Sequence, residues 1–304
     1  MINFREMNIL AKYSTVIAGL LMVNTALAQN PLNADRANSQ APKKEYVNQE
    51  WQPSLVPDGM IDRVNHENKA LQWHNIREID VAFKRRVWKR IDVKEKQNMP
   101  FVYEGDEYTG GGAFVEILID GIHRGKIKAY SDDKFTRAMS VEDVDKQLMS
   151  EKTVMVTDPI TGEQTMETSK GNFNPLDVTT YGVQEDWIFD RNAGRMIPRV
   201  RAITPMLSQY NDDGTFRNLV PLFTVYYPDA RDVLAQYEIY NPENDVRRMT
   251  WTDYIDRSYY SAYIIKTSHN NPENANFKGG FDGLIQGQKA MEDIISKEMD
   301  MWEL

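Results

Sequence analysis

The chain has 304 residues, a formal net charge of −9, 27% charged side chains and no cysteine. This length allows one or two domains with a buried core, and the composition is not that of a collagen, a coiled coil or a wholly disordered chain. The acidic balance argues against a general nucleic-acid-binding protein. The lack of cysteine excludes disulfides, thiolate metal sites, thiol catalysis and lipid attachment through cysteine.

Residues 1–28 have the features of a secretory signal peptide. Arg5 and Lys12 give a weakly positive start, the run Tyr13–Met22 is apolar, and Ala26–Ala28 forms a small-x-small cleavage site. The alternative is an uncleaved membrane anchor, but the apolar run is shorter than the ~20 residues that span a bilayer. We therefore expect an exported protein with no direct membrane insertion.

Residues 29–70 are rich in Asn, Gln, Pro and charged side chains, and their apolar residues are sparse and aperiodic. This composition predicts an extended or disordered arm. Tyr46 and Trp51 are candidate partner-binding residues in this arm, since a plain linker seldom contains such aromatic anchors. A linker without a binding role is the alternative. Residues 71–304 are then predicted to form one domain.

The first predicted element of that domain is a helix from Ile76 to Ile91, capped by Asn75. Its apolar residues recur at spacings of three and four, which is typical of one helix face. Its basic face, with an interspersed tryptophan, is a candidate docking surface because Arg and Trp are favoured at interface hot spots. A solvated helix face is the alternative. The candidate residues on this face are Arg85, Trp88, Lys89 and Arg90.

Further elements alternate between helices and antiparallel hairpins. Capping signals and apolar periodicity predict helices over 113–124, 140–149, 251–265 and 283–302, and a helical turn is predicted at 229–235. Turn signals at 158–162 and 191–194 predict hairpins of strands 153–157 with 163–168, and 183–190 with 196–204; further short strands are predicted at 127–130, 222–227 and 237–240. The predicted fold class is therefore α+β, a single compact domain of mixed helices and antiparallel hairpins that follows a flexible N-terminal arm.

No catalytic, cofactor-binding or metal site is predicted. The four histidines do not pair at metal-ligand spacing, and the triple glycine at 110–112 lacks the Lys-Ser or Lys-Thr of a phosphate-binding loop. The adjacent carboxylates Glu185 and Asp186 could do acid–base work on a glycan. However, neighbouring residues of a strand point to opposite faces, so a solvated strand is the default interpretation.

Four stretches together resemble the GldN/PorN family of the gliding-motility and type IX secretion machinery of gliding Gram-negative bacteria. The first is VWKRIDVKEKQNMPF at Val87–Phe101, and the second is GKIKAYSDDKF at Gly125–Phe135. Two longer stretches follow in order, at Tyr181–Pro205 and Tyr226–Ile255. The resemblance extends from about Ile76 to Tyr263.

The resemblance implies a periplasmic, non-enzymatic protein. Family members assemble, in several copies, with a GldK/PorK-type outer-membrane lipoprotein into a large ring beneath the outer membrane. The GldL/GldM motor complex, with its GldM/PorM-type motor protein, reaches this ring from the inner membrane. A chain without cysteine would then depend on the lipoprotein for its membrane anchor. The alternative from the residues alone is a periplasmic protein that binds or cleaves cell-wall glycan.

Overall fold

An antiparallel sheet of seven strands, with five α-helices, makes up most of the part of the chain that the structure describes. The computed structural model describes residues 69–105, 111–148, 150–157, 164–171, 173–211, 215–241 and 249–302, with backbone alone for 150–157 and 164–171. These residues belong to one compact unit, Asn48–Leu304. The predicted signal peptide and the predicted arm up to residue 68, with Tyr46 and Trp51, lie outside the described residues.

The strands of the main sheet follow the order β2-β8-β6-β5-β1-β9, and β7 pairs with the far part of β6. Strands β3 and β4 form a separate two-stranded sheet. The nine strands are β1 Val81–Asp92, β2 Ala129–Tyr130, β3 Ser150–Thr157, β4 Gln164–Gly171, β5 Val178–Asp190, β6 Arg195–Tyr210, β7 Phe216–Pro221, β8 Thr224–Tyr226 and β9 Tyr263–Thr267. The α+β class is confirmed.

Five α-helices lie between or after these strands. They are α1 Phe114–His123, α2 Val141–Leu148, α3 Tyr227–Leu234, α4 Trp251–Asp256 and α5 Phe281–Trp302. Short 3-10 helices occur at Glu78–Asp80, Lys96–Val102 and Pro175–Asp177. The predicted helices 113–124, 140–149 and 283–302 are confirmed within a few residues, and the predicted helical turn at 229–235 lies in the longer helix α3. At α2 the predicted cap is present, because the Ser140 hydroxyl accepts a hydrogen bond from the Asp143 amide at 3.2 Å.

The long hairpin of β5 and β6 is the framework of the sheet, and it was predicted. Its ladder runs from the Asp190–Arg195 pair to the Val178–Leu207 pair. The turn closes because Gly194 adopts a left-handed φ of +62°, which costs a glycine nothing. The second predicted hairpin is present as β3 and β4, although its turn at 158–163 lies outside the described residues.

The predicted helix from Ile76 to Ile91 is wrong, because this segment is strand β1 after a short 3-10 turn. β1 lies between β5 and the edge strand β9. Burial alternates along it with a period of two, as expected for a strand with unlike faces. Ile79, an apolar residue of the predicted helix stripe, is 79% exposed and packs on nothing in the core.

The predicted helix over 251–265 is correct only for its first part. The Thr250 hydroxyl caps it as predicted, accepting a hydrogen bond from the Asp253 amide at 3.1 Å. The helix ends at Asp256, Ser258 then adopts a φ of +52°, and the chain enters β9. The predicted strand over 237–240 is reduced to an isolated bridge between Glu238 and Thr250, and β7 was not predicted.

One face of the sheet packs against helices and forms two hydrophobic clusters. In the larger cluster Phe101 lies at the centre of an aromatic group, with its ring centroid 5.2 Å from those of Phe114 and Trp251. The smaller cluster lies under α5 and consists of Val87, Phe189, Met196, Ile264 and Ile294. Of the aromatic residues after Thr250, Trp251, Tyr254 and Tyr260 are buried in the core, whereas Tyr259 is exposed at its rim.

Helix α5 rests unusually close to β9. A Cβ atom added to Gly287 would lie 2.5 Å from the carbonyl oxygen of Ile264, so only glycine permits this approach. Two polar contacts fix the C-terminal half of the helix. The Met196 amide donates to Glu298 at 2.7 Å, and the Trp302 indole N–H donates to the Gly194 carbonyl at 2.7 Å. Helix α5 is therefore packed on the sheet as an integral part of the domain.

Candidate partner-binding surface

The residues predicted as one basic docking face are divided between the two faces of the sheet. Arg85 and Lys89 point to the helix-covered face, where they are only 7% and 9% exposed. Trp88 and Arg90 have the opposite strand parity and point to the other face. A continuous helical docking surface at these residues is therefore wrong, although partner contact by any one of them stays a prediction.

Lys89 belongs to a buried polar network on the helix-covered face. Its Nζ lies 2.8 Å from an oxygen of Glu185, whose side chain is fully buried. The Trp187 indole N–H donates to this same oxygen at 2.8 Å, and the other oxygen of Glu185 accepts a hydrogen bond from the Tyr260 hydroxyl at 2.6 Å. Burial, with the nearby Glu185 charge, raises the pKa of Tyr260 well above its ordinary value, so this hydroxyl stays protonated and donates. Lys89 thus has an internal partner.

Arg85 is likewise used inside the fold. Its guanidinium lies 5.3 Å from the ring centroid of Phe83, and burial lowers its pKa although the carboxylate of Asp293 opposes the shift. Asp293 lies on α5, so Arg85 faces the region between β1 and that helix. Arg85 is therefore enclosed within the fold and is not presented at the surface.

The opposite face of the sheet carries a partly exposed cluster of cations around Asp186. Arg86 donates to Asp186 through Nε at 2.6 Å, Lys84 Nζ lies at 2.9 Å and Arg201 at 3.9 Å. Although burial alone would raise it, hydrogen bonds from Arg86 and Lys84 hold the pKa of Asp186 below its ordinary value. The carboxylate therefore stays ionised and is outnumbered by its cations.

Trp88 extends this cluster along β1. Its indole N–H donates to Asp133 at 2.9 Å, and the Lys266 ammonium lies 3.9 Å from its ring centroid, a close cation–π contact. Burial lowers the pKa of Lys266, with the Asp133 carboxylate opposing and the Lys134 charge adding to the shift. We call the whole group the basic sheet face, defined by Lys84, Arg86, Trp88, Arg201, Lys266 and the neighbouring Lys134.

Replacing Asp186 by asparagine is expected to cost stability at neutral pH and little in acid. Because its folded pKa is depressed, the ionised carboxylate contributes stability above its unfolded pKa of about 3.9, and this is lost as pH falls through the lower folded pKa. We expect a loss of about 1–3 kcal/mol at pH 7, since Arg86 and Lys84 lose a charged acceptor. Urea unfolding at pH 7 and pH 3, with Asp232→Asn as an exposed control, measures it. An equal loss at both pH values would contradict the assignment.

A second polar arrangement holds the segment that precedes the sheet. The Trp73 indole lies between two guanidinium groups, with Arg231 4.3 Å and Arg199 4.7 Å from its ring centroid. Its N–H donates to Asp256 at 3.1 Å, and Asp256 also binds Arg231 at 2.7 Å and the Tyr227 hydroxyl at 2.8 Å.

Arg231 and Arg199 also form hydrogen bonds with the backbone on either side of Trp73. Arg231 donates to the Leu71 carbonyl at 2.6 Å, and Arg199 donates to the His74 carbonyl at 3.2 Å. We call Trp73 with these two arginines and Asp256 the Trp73 anchor. This anchor was not predicted, because an aromatic residue in a polar segment gives no local signal of the distant arginines that pack against it.

The candidate acid–base pair is separated by the sheet. Glu185 binds Lys89 on the helix-covered face, whereas Asp186 binds Arg86 on the other face. This confirms that adjacent strand residues do not form a facing pair, so no substrate can lie between these two carboxylates. A glycan-cleaving site at this position has no geometric support.

The other weak chemical signals have structural explanations. The Glu116 side chain accepts a hydrogen bond from the Ala113 amide at 2.8 Å, so a carboxylate occupies the helix N-terminus after the triple glycine, where an anion would bind. His123 lies 2.9 Å from Asp145. Among the described residues, no group of three or more His, Asp or Glu side chains could hold a metal ion.

Within the described ranges, none of the helices combines the length and the apolar character that a membrane span requires. A search among curated proteins finds no significant match. A model of the family described as gliding motility associated protein GldN matches residues 76–303, which include β1, the basic sheet face and α5. With three quarters of its length matched, the chain belongs to the GldN family of gliding-motility-associated proteins.

Proposed function

We propose that this protein is a non-enzymatic structural subunit of the periplasmic ring of the gliding-motility and type IX secretion machinery. In this proposal a GldK/PorK-type lipoprotein holds it beneath the outer membrane, other copies complete the ring, and a GldM/PorM-type motor protein contacts it. The observation that carries the proposal is the family match over residues 76–303. The signal-peptide pattern of residues 1–28 supports an exported location.

The basic sheet face is the proposed contact for an acidic surface of the lipoprotein. It concentrates cations on a chain whose net charge is −9, and its side chains Lys84, Arg86 and Arg201 are 48%, 28% and 33% exposed. Charge complementarity of this kind sets orientation and association rate more than raw affinity. Trp88 adds an aromatic group of the type enriched in interface centres.

The proposal is tested in a gliding bacterium that lacks its own copy of the protein. The tagged chain is expressed there, solubilised with detergent, purified and imaged. We expect rings that contain the lipoprotein. A chain that purifies without the lipoprotein and without other copies of itself would contradict the proposal.

The proposed contact surface is tested with paired charge reversals. Lys84→Glu with Lys134→Glu is expected to lower the amount of co-purified lipoprotein at least about tenfold, because it places acidic groups opposite an acidic partner. Lys94→Glu with Lys96→Glu makes the same change at exposed positions after β1 and is the matched control. Both variants are first checked for an unchanged thermal unfolding midpoint. Equal recovery with both would remove the basic sheet face from the proposal and leave ring membership standing.

A further inference from the structure

Helix α5 has two apolar faces, and only one of them packs on the sheet. Gly287 and Ile294 are buried against the sheet. The second face is open to solvent along the whole helix, with Phe281 76%, Ile295 49%, Met299 57% and Trp302 62% exposed. Large apolar side chains exposed in a row mark a docking surface more often than isolated ones do.

The spacing on this open face is that of a coiled-coil seam. Seven positions follow one another at steps of four and three residues, which is the a and d repeat of a heptad. A strict repeat of this kind drifts slowly around a straight helix, so two such helices wrap around each other. The outer positions of the seam are apolar and the two central ones are polar. In order they are Phe281, Ile285, Gln288, Glu292, Ile295, Met299 and Trp302.

The polar residues Gln288 and Glu292 at the centre of the seam determine which helix can pair with α5 and in which orientation. We propose that α5 pairs with α5 of a second copy of this chain, in antiparallel orientation, about a two-fold axis at Ala290. Around this axis Phe281 meets Met299 of the second copy, Ile285 meets Ile295, and Gln288 meets Glu292. Phe281, Ile285, Ile295 and Met299 then each contact an apolar side chain, Trp302 lies at the end of the pair beyond Phe281 of the second copy, and each amide can donate to a carboxylate.

Other pairings of the same two helices are worse. A parallel pair places Glu292 against Glu292 of the second copy, which brings like charges together. An antiparallel pair shifted by one heptad places Glu292 against Ile295 or against Phe281, so a carboxylate is covered without a partner.

The helix is already formed and fixed before it pairs. Glu298 and Trp302 tie it to β6 and to the β5–β6 turn, and Gly287 seats it on β9. An isolated helix of 22 residues would lose much of its association energy to ordering. The domain already holds α5 in its helical conformation, so pairing does not have to order the helix, and a seam of three heptads is enough for association.

Sedimentation of the full chain over a range of concentrations tests the pairing. We expect a monomer–dimer equilibrium whose dissociation constant rises about a hundredfold in Ile295→Glu, because each dimer contains two such positions and each unpaired carboxylate costs about tenfold. Gln286→Glu adds the same charge to an exposed position of the helix outside the seam and is the matched control. A wild-type monomer at all concentrations, or a dimer that Ile295→Glu leaves unchanged, would overturn the proposal.

The orientation is tested by exchanging the central charges. Gln288→Glu alone is expected to weaken the dimer, since it opposes Glu292 of the second copy. Adding Glu292→Lys should restore it in the antiparallel register, whereas a parallel register would then oppose glutamate to glutamate and lysine to lysine. A double variant that dissociates further overturns the antiparallel pairing. A two-fold contact joins two copies and cannot by itself continue around a ring, so this inference stands or falls separately from ring membership.

Discussion

Replacing Lys89 by methionine is expected to lower the free energy of unfolding by about 3–5 kcal/mol, the usual cost of removing one partner of a buried ion pair. Glu185 would remain fully buried with hydrogen bonds from Tyr260 and Trp187 alone. These neutral donors do not balance a full negative charge in a poorly solvated site. Urea unfolding followed by circular dichroism at pH 7 measures the change.

Two further variants separate the buried charge from the loss of a lysine. Lys84→Met removes an exposed partner of Asp186, which keeps Arg86, and should cost less than about 1 kcal/mol. Adding Glu185→Gln to Lys89→Met removes the unpaired charge and should recover part of the loss. If Lys89→Met and Lys84→Met cost the same, the buried network is not the source of stability described here.

Replacing Trp73 by alanine is expected to cost about 2–3 kcal/mol, which combines lost burial with two lost cation–π contacts. The indole lies between Arg199 and Arg231 and donates to Asp256. Its loss should also release the neighbouring backbone, since both arginines are positioned in part by the ring. Hydrogen exchange of the amides of residues 71–76 should therefore accelerate more than exchange in β5.

Trp73→Phe is the matched control for this prediction. A phenyl ring can still lie between the two guanidinium groups, but it has no N–H to donate to Asp256. We expect it to cost about 1 kcal/mol, the value of one hydrogen bond, and to leave the exchange of residues 71–76 largely unchanged. Equal behaviour of the alanine and phenylalanine variants would assign the anchoring to the hydrogen bond and not to the stacked arginines.

The failure at β1 shows where local patterns are ambiguous. Phe83, Val87 and Ile91 are spaced by four residues, and four is close to one helix turn and also an even number of strand steps. The intervening Arg85 and Lys89 share their strand face, which spoiled the alternation that would have identified a strand. Lys89 can be buried because it pairs with Glu185. Glu185 is distant in the chain, so a short stretch of sequence around Lys89 does not reveal this pairing.

The elements that were predicted correctly carry their own local signals. The β5–β6 hairpin has a glycine at the turn position that needs a left-handed backbone. Helices α2 and α4 have hydroxyl caps followed three residues later by an aspartate. The Trp73 anchor and the basic sheet face depend on side chains from several distant segments. Such sites follow from the fold, so the sequence indicated only their residue types.

The adjacent carboxylates Glu185 and Asp186 of β5 also determine how β1 and β5 can align. Glu185 binds Lys89 on one face, and Asp186 binds Lys84 and Arg86 on the other, across the same ladder with β1. Shifting β1 by one residue would turn every side chain to the opposite face. Lys89 would then leave Glu185 unpaired in the core, and Arg86 would enter the helix-covered side. Glu185 and Asp186 therefore fix the register of β1 against β5. They lie next to two register irregularities, at Gln184/Glu185 in the ladder of β5 with β6 and at Trp88/Lys89 in the ladder of β1 with β9, where the strands could otherwise shift.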